Sequence, residues 1–166
     1  MSTNDNLQEA FAGESQANRK YLAFASKAEA DGFTQVAKLF RAAAAAETIH
    51  AHAHFKVMGG VHGTVENLQA GIDGEGFEFQ NMYPKFLAEA EADGNKAATA
   101  SFKNALAVEE IHHGLYSEAK KVVASGNDLP EERIFVCSIC GNTVMGEAHD
   151  NCSVCGVPKE KFSEIT

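Results

Sequence analysis

From Thr3 to about Ala124 the chain runs in long stretches of Ala, Glu, Lys, Leu and Phe in which few breakers interrupt the apolar and polar positions. The pattern predicts four long helices. The first runs from about Asn4 to Ala30 and stops at Asp31-Gly32, a helix-ending pair. The second runs from about Phe33 to Met58 and stops at Gly59-Gly60. Thr64 reads as the N-cap of a third helix reaching about Ala92, and a fourth runs from about Asn95 to Ala124. The third is the least regular: Gly71, Gly74 and Gly76 each cost about 1 kcal/mol against Ala, and Pro84 removes an internal hydrogen bond, so a kink is expected there. Ser125 to Arg133 is a polar linker. From Ile134 onward Cys, Gly, Val and Pro replace the helical residues in a small module without helical period. The chain is thus expected to be mainly α, with residues 1–124 forming the bundle, 125–133 a linker and 134–166 the small module.

An internal repeat supports the third helix. Glu29-Ala30-Asp31-Gly32 recurs as Glu91-Ala92-Asp93-Gly94, an offset of 62 that also relates Phe40 to Phe102, Glu47 to Glu109 and His50 to His112. Upstream the offset is 61, where Gly13-Glu14 matches Gly74-Glu75. Two hairpins related in this way imply an antiparallel four-helix bundle with pseudo-twofold symmetry.

Charge and hydropathy narrow the function. Twenty-three acidic residues against 14 basic give a formal charge of -9, which argues against nucleic acid or an anionic membrane as partner. No stretch approaches the roughly 18 apolar residues of a membrane span. The polar start Met1-Ser2-Thr3-Asn4-Asp5 has no signal-peptide character, and a cytoplasmic protein is expected.

The repeat also selects the chemistry. With 17 Glu and 7 His, chance predicts about 0.7 Glu-x-x-His pairs. The chain holds Glu47/His50, Glu109/His112 and the overlapping Glu110/His113. Neighbouring helical positions diverge by about 100°, and the repeat pairs Glu47/His50 with Glu109/His112, leaving Glu110 and His113 on the flank. Glu14 and Glu75 occupy equivalent places on the other two helices. One Glu from each of two helices plus Glu-x-x-His from each of the others is the donor pattern of ferritin-like di-iron and di-manganese carboxylate proteins. Unneutralised, such a cluster would be very costly in a core. Glu78, three residues after Glu75, has no counterpart, since Ala17 follows Glu14 at that spacing; it is a seventh candidate ligand. Tyr21 and Tyr83, two turns beyond Glu14 and Glu75, are candidates for orienting carboxylates.

Cys137-x-x-Cys140-Gly and Cys152-x-x-Cys155-Gly supply four thiolates on two turns. Without a secretion signal they point to a tetrahedral metal site, iron or zinc, rather than disulfides.

Together, Gly13-Glu14-Ser15-Gln16-Ala17, Glu47-Thr48-Ile49-His50, Gly74-Glu75-Gly76-Phe77-Glu78, Met82-Tyr83-Pro84, Glu109-Glu110-Ile111-His112 and the cysteine module resemble the rubrerythrin family over nearly the whole chain. The resemblance implies a ferritin-like bundle whose Glu14, Glu47, His50, Glu75, Glu78, Glu109 and His112 hold two irons. It implies reduction of hydrogen peroxide to water as part of oxidative-stress protection. One iron of the family exchanges a histidine for a glutamate with redox state, by position His50 and Glu78. The module looks like rubredoxin, with one iron on Cys137, Cys140, Cys152 and Cys155 (zinc as the substitute). It would relay single electrons from a rubredoxin or a nicotinamide-dependent reductase. Asn142 and Ser153 depart from the aromatic and proline common in such modules, which bears on the tuning of the potential. Glu109 lies about 15 residues before the end of its helix, so at 1.5 Å per residue the tail starts roughly 22 Å beyond the carboxylates. That distance favours a twofold homodimer in which one chain's module serves the other's bundle, helix exchange being one form of it. The alternative reading is ferritin-type iron oxidation by oxygen.

Overall fold

The computed structural model describes residues 2–166. Its elements are α1 (Thr3–Ala30), α2 (Thr34–Val57), α3 (Thr64–Phe77), a π-helical turn (Glu78–Met82), α4 (Tyr83–Ala92), α5 (Lys96–Ala124), β1 (Ile134–Cys137), β2 (Thr143–Met145), a 3-10 turn (Lys159–Lys161) and β3 (Phe162–Ile165). They fall into two compact units, one ending at His62 and the other running Gly63–Thr166.

The first unit is the α1–α2 hairpin. Ser2 caps α1 by accepting from the Asp5 N–H, while the Asp5 carboxylate accepts from the Ser2 N–H at 2.6 Å, satisfying two amides the helix leaves free. At the other end Gly32 takes φ +86° and the Phe33 N–H reaches the Ala28 carbonyl at 2.8 Å, the wrapped closure that glycine permits. The seam is made of Ala25, Ala28, Ala37, Ala44 and Ala51, all buried. Such small side chains let the two backbones approach closely. Asn18, the buried polar residue of the seam, donates to the Ala44 carbonyl at 2.7 Å and to Thr48 Oγ1 at 2.8 Å.

The second unit repeats the hairpin with α3–α4 against α5 and adds the strand module. Gly94 closes it as Gly32 does, with Asn95 N–H on the Ala90 carbonyl at 2.9 Å. Two of the three glycines that weaken α3 by propensity, Gly71 and Gly76, have packing roles, whereas a Cβ on Gly74 would meet nothing within 4 Å. A Cβ on Gly71 would lie 3.0 Å from the Tyr116 ring, and one on Gly76 3.3 Å from His113. Just before Pro84 the helix forms a π-helical turn, closed by the Tyr83 N–H on the Glu78 carbonyl.

The repeat is visible as matched aromatic triangles. Tyr21, Phe24 and Phe40 have ring centroids 6.3, 6.2 and 5.6 Å apart; Tyr83, Phe86 and Phe102 stand at 6.3, 6.2 and 5.7 Å.

The C-terminal module is a three-stranded antiparallel sheet in the order β2-β1-β3. Arg133, just before β1, holds Glu164 of β3 through a bidentate pair at 2.9 and 2.6 Å and lies over the Phe135 ring.

Candidate metal centres

The carboxylates and histidines are gathered into two triads, one per unit: Glu14, Glu47 and His50, and Glu75, Glu109 and His112. Within each, the ligand-capable atoms lie within 4.8 Å of one another. The triads match in detail. His50 Nδ1 stands 3.3 Å from Glu47 and 3.9 Å from Glu14; His112 Nδ1 stands 3.0 Å from Glu109 and 3.7 Å from Glu75. The i, i+3 spacing puts each histidine one turn from its glutamate on one helix face. In both cases Nδ1 is the ring nitrogen turned toward the carboxylates.

Like charges this close disturb each other. A hydrogen bond with Glu47, aided by burial, holds the Glu14 carboxyl above the usual carboxylate range, and the same bond pulls Glu47 below it. Burial, then the charge of Glu109, raises Glu75. Carboxylates that must share protons in this way are suited to a divalent cation, which would replace those protons with charge and bonds.

Glu78 lies outside the second triad but close to it. Burial and the charge of Glu75 raise its pKa. Burial also raises the Tyr83 phenol, with further contributions from Glu78, Glu109 and Glu75, so this tyrosine sits in the field of the carboxylates. Tyr21 occupies the matching corner of the first aromatic triangle. On the flank, the His113 ring meets Phe79 edge-on, with centroids 5.2 Å apart, and Glu110 is exposed.

The four cysteines converge. Cys137 Sγ is 3.7 Å from Cys155 Sγ, and Cys140 Sγ is 3.6 Å from Cys152 Sγ. A tetrahedral ion with metal–sulfur bonds of about 2.3 Å sets a sulfur–sulfur edge of about 3.8 Å, so the cage has the size of a metal site. Gly141 and Gly156, at φ +86° and +74°, close the two turns by donating to the Cys137 and Cys152 carbonyls, each at 2.9 Å. Burial raises the thiols of Cys140 and Cys155. At Cys152 burial acts in the same sense but is overcome by the backbone N–H groups of Cys155 and Val154 and by the Asn142 amide, which bring it to about 6.

Asn142, which the sequence marked only as a departure bearing on the potential, and Thr143, which it did not mark, join these sites. Asn142, 2% exposed, donates to Cys152 Sγ at 3.5 Å and to Ser153 Oγ at 3.3 Å. Its neighbour Thr143 places Oγ1 2.9 Å from Nε2 of His112. The expectation that the module would be remote from its own chain's carboxylates therefore fails. The linker does start far along α5, but the chain doubles back and seats β2 against that helix.

Helical carboxylate–histidine triads with a four-cysteine module define a ferritin-like metalloprotein with an appended rubredoxin-like centre. Comparisons with known proteins agree. The rubrerythrin family profile matches residues 5–120, and that of the rubrerythrin rubredoxin-like domain matches residues 135–163. Rubrerythrin-2 of Clostridium acetobutylicum is 35% identical, with 96% of this chain and 95% of that protein covered. Nigerythrin of Nitratidesulfovibrio vulgaris is 34% identical, covering 98% and 86%. A structure of nigerythrin in a mixed-valence state superposes with a TM-score of 0.59 at 33% identity, covering 99% of this chain and 87% of that one. The chain belongs to the rubrerythrin family. The family carries a di-iron site and a rubredoxin-like iron site, and the donor sets described above fit both. No helix among the described residues is long and apolar enough to cross a membrane.

Proposed function

We propose that the protein is a peroxidase that reduces hydrogen peroxide to water, with electrons returned through the four-cysteine iron. When bound, the paired irons supply electrons and Lewis acidity to the O–O bond. Glu14, Glu47, Glu75 and Glu109 would hold them, His50 and His112 would complete the set through Nδ1, and Glu78 would be the extra carboxylate, able to substitute for His50 as a ligand. Tyr83, raised by burial and by the charges of Glu78, Glu109 and Glu75, keeps its proton and offers a donor to the carboxylates beside it. A rubredoxin or a nicotinamide-dependent reductase feeds the cysteine centre, and the cytoplasm is the setting for such donors.

The observation that carries this reading is the contact between the module and the carboxylate site at Thr143 and His112. A storage protein that oxidises iron with oxygen has no use for a one-electron relay placed there. Comparing turnover of the reduced protein with peroxide and with oxygen tests it: peroxide should react faster, and faster reaction with oxygen would favour the ferritin-type alternative.

We further propose a homodimer with exchanged hairpins. A ferritin-like bundle contains one connection that crosses its full length. The turns at 31–33 and 93–95 close tight hairpins, so the crossover falls between α2 and α3. The 24 residues of α2 span about 36 Å. Residues 58–63 reach at most about 24 Å when fully extended. A partner's hairpin completes the bundle without that crossover.

A further inference from the structure

The internal repeat matches the two histidines by Nδ1, but their surroundings differ. The side chain of His50 is 55% exposed and that of His112 24%. Next to His112 Nε2, at 2.9 Å, lies the Thr143 hydroxyl. That hydroxyl has one proton, and the Gly141 carbonyl, 3.3 Å away, can accept it. Thr143 Oγ1 then has only lone pairs to offer to the imidazole, so His112 Nε2 is the donor. A ring that carries its proton on Nε2 leaves the Nδ1 lone pair free, and Nδ1 faces Glu109 and Glu75. The chain of contacts continues from Gly141 into Cys140 by one peptide bond. On the strand side, Asn142 and Thr143 are neighbours whose side chains serve opposite directions, as alternation along an extended chain requires. Asn142 reaches Cys152 Sγ and Thr143 reaches His112.

We propose that Thr143 is a positioning residue for the carboxylate metal site. Its hydroxyl accepts the Nε2 proton of His112, fixes the ring with Nδ1 toward Glu75 and Glu109, and ties that ring to the turn bearing Cys140. A metal-ligating histidine needs such a partner to set its tautomer and orientation, and here the partner comes from the electron-relay module rather than from the bundle. No proton or bond changes hands at Thr143. The inference uses the reading of His112 as a metal ligand but not the peroxidase activity.

The test is proton exchange at His112 in zinc-loaded, nitrogen-15-labelled protein, with metal content measured alongside. In the wild type the His112 Nε2 proton should be seen and exchange slowly with water. Thr143→Val keeps the shape and removes the acceptor, so exchange should quicken by about tenfold while the His50 signal stays unchanged. Thr143→Ser should restore slow exchange. In the iron-loaded protein, Thr143→Val should also slow the return of electrons from the reduced cysteine centre after a peroxide pulse, with that centre's reduction potential unchanged. Unaltered exchange in Thr143→Val, or a Thr143→Ser variant as fast as the valine one, would overturn the proposal whatever the substrate proves to be.

Discussion

The Tyr83 N–H bonds the carbonyl of Glu78, five residues back rather than four. This widened turn accounts for an oddity of the internal repeat. The offset between the hairpins is 61 at Glu14 and Glu75 and 62 from Tyr21 and Tyr83 onward, so the second hairpin carries one more residue in between. A π-helical turn absorbs one residue and leaves the helix in register on both sides. Glu75 therefore keeps its place beside Glu109, and Tyr83 still forms the same triangle with Phe86 and Phe102 that Tyr21 forms with Phe24 and Phe40. The turn begins at Glu78, the acidic residue that has no counterpart in the first hairpin.

Glu78→Ala should leave the metal content unchanged and lower peroxide turnover by about 10–100-fold. Metal analysis and steady-state rates on the same preparation check this. Full turnover in the variant would remove Glu78 from the cycle.

Metal-free protein should lose stability between mildly acidic and neutral pH. Glu75 and Glu78 have folded pKa values raised by burial, with added repulsion from Glu109 and Glu75 respectively. The folded state thus holds more protons than the unfolded one, and stability falls as pH rises from the ordinary carboxylate range through the raised values. Thermal melts at pH 5 and pH 7 should show the drop, a Glu75→Gln variant should reduce it, and a divalent metal should offset it by replacing the protons. A Glu75→Gln variant with an undiminished drop would contradict this assignment.

Asn142→Leu should lower the reduction potential of the cysteine iron. The amide bond to Cys152 Sγ helps bring that thiol to about 6, and hydrogen bonds to ligating sulfur favour the reduced centre. One such bond of about 1 kcal/mol corresponds to about 40 mV for a one-electron couple. An equilibrium redox titration reads it; an unchanged or higher potential would show that Asn142 has no tuning role.

Helix exchange predicts complementation between inactive chains. Glu47→Ala damages the first triad and Glu109→Ala the second. Coexpressed, exchanged heterodimers contain one site built from two intact triads, giving about a quarter of wild-type activity after random assortment. Bundles formed within single chains would give none.

Much of this was legible before the fold was known. The repeat marked Glu14, Glu47, His50, Glu75, Glu109 and His112, and the structure gathers those six into two matched triads. The four helices fell within a residue or two of their observed ends, because Asp31-Gly32 and Asp93-Gly94 are strong stop signals. The π turn left its trace only as the change of offset, which propensity does not interpret. Gly71 and Gly76 misled because their reason lies across the unit, in Tyr116 and His113. Thr143 left no trace at all: a threonine opening a short strand is ordinary, and only the return of the chain to α5 brings it to His112. That same return removes the distance argument for a dimer and leaves the short connector 58–63 as its physical basis.

The central claim is that each di-iron site of the protein reacts with peroxide and is served by an iron relay of the same protein. Metal quantitation on anaerobically purified protein, joined to optical spectra before and after peroxide, tests it most directly. The account predicts three irons per chain, two at the carboxylates and one at the cysteines, consistent with the donor groups present. It also predicts ferric–thiolate colour that is bleached on reduction and returns promptly when peroxide is added. A colourless protein containing only zinc, or a reduced cysteine iron that peroxide leaves unoxidised, would contradict it.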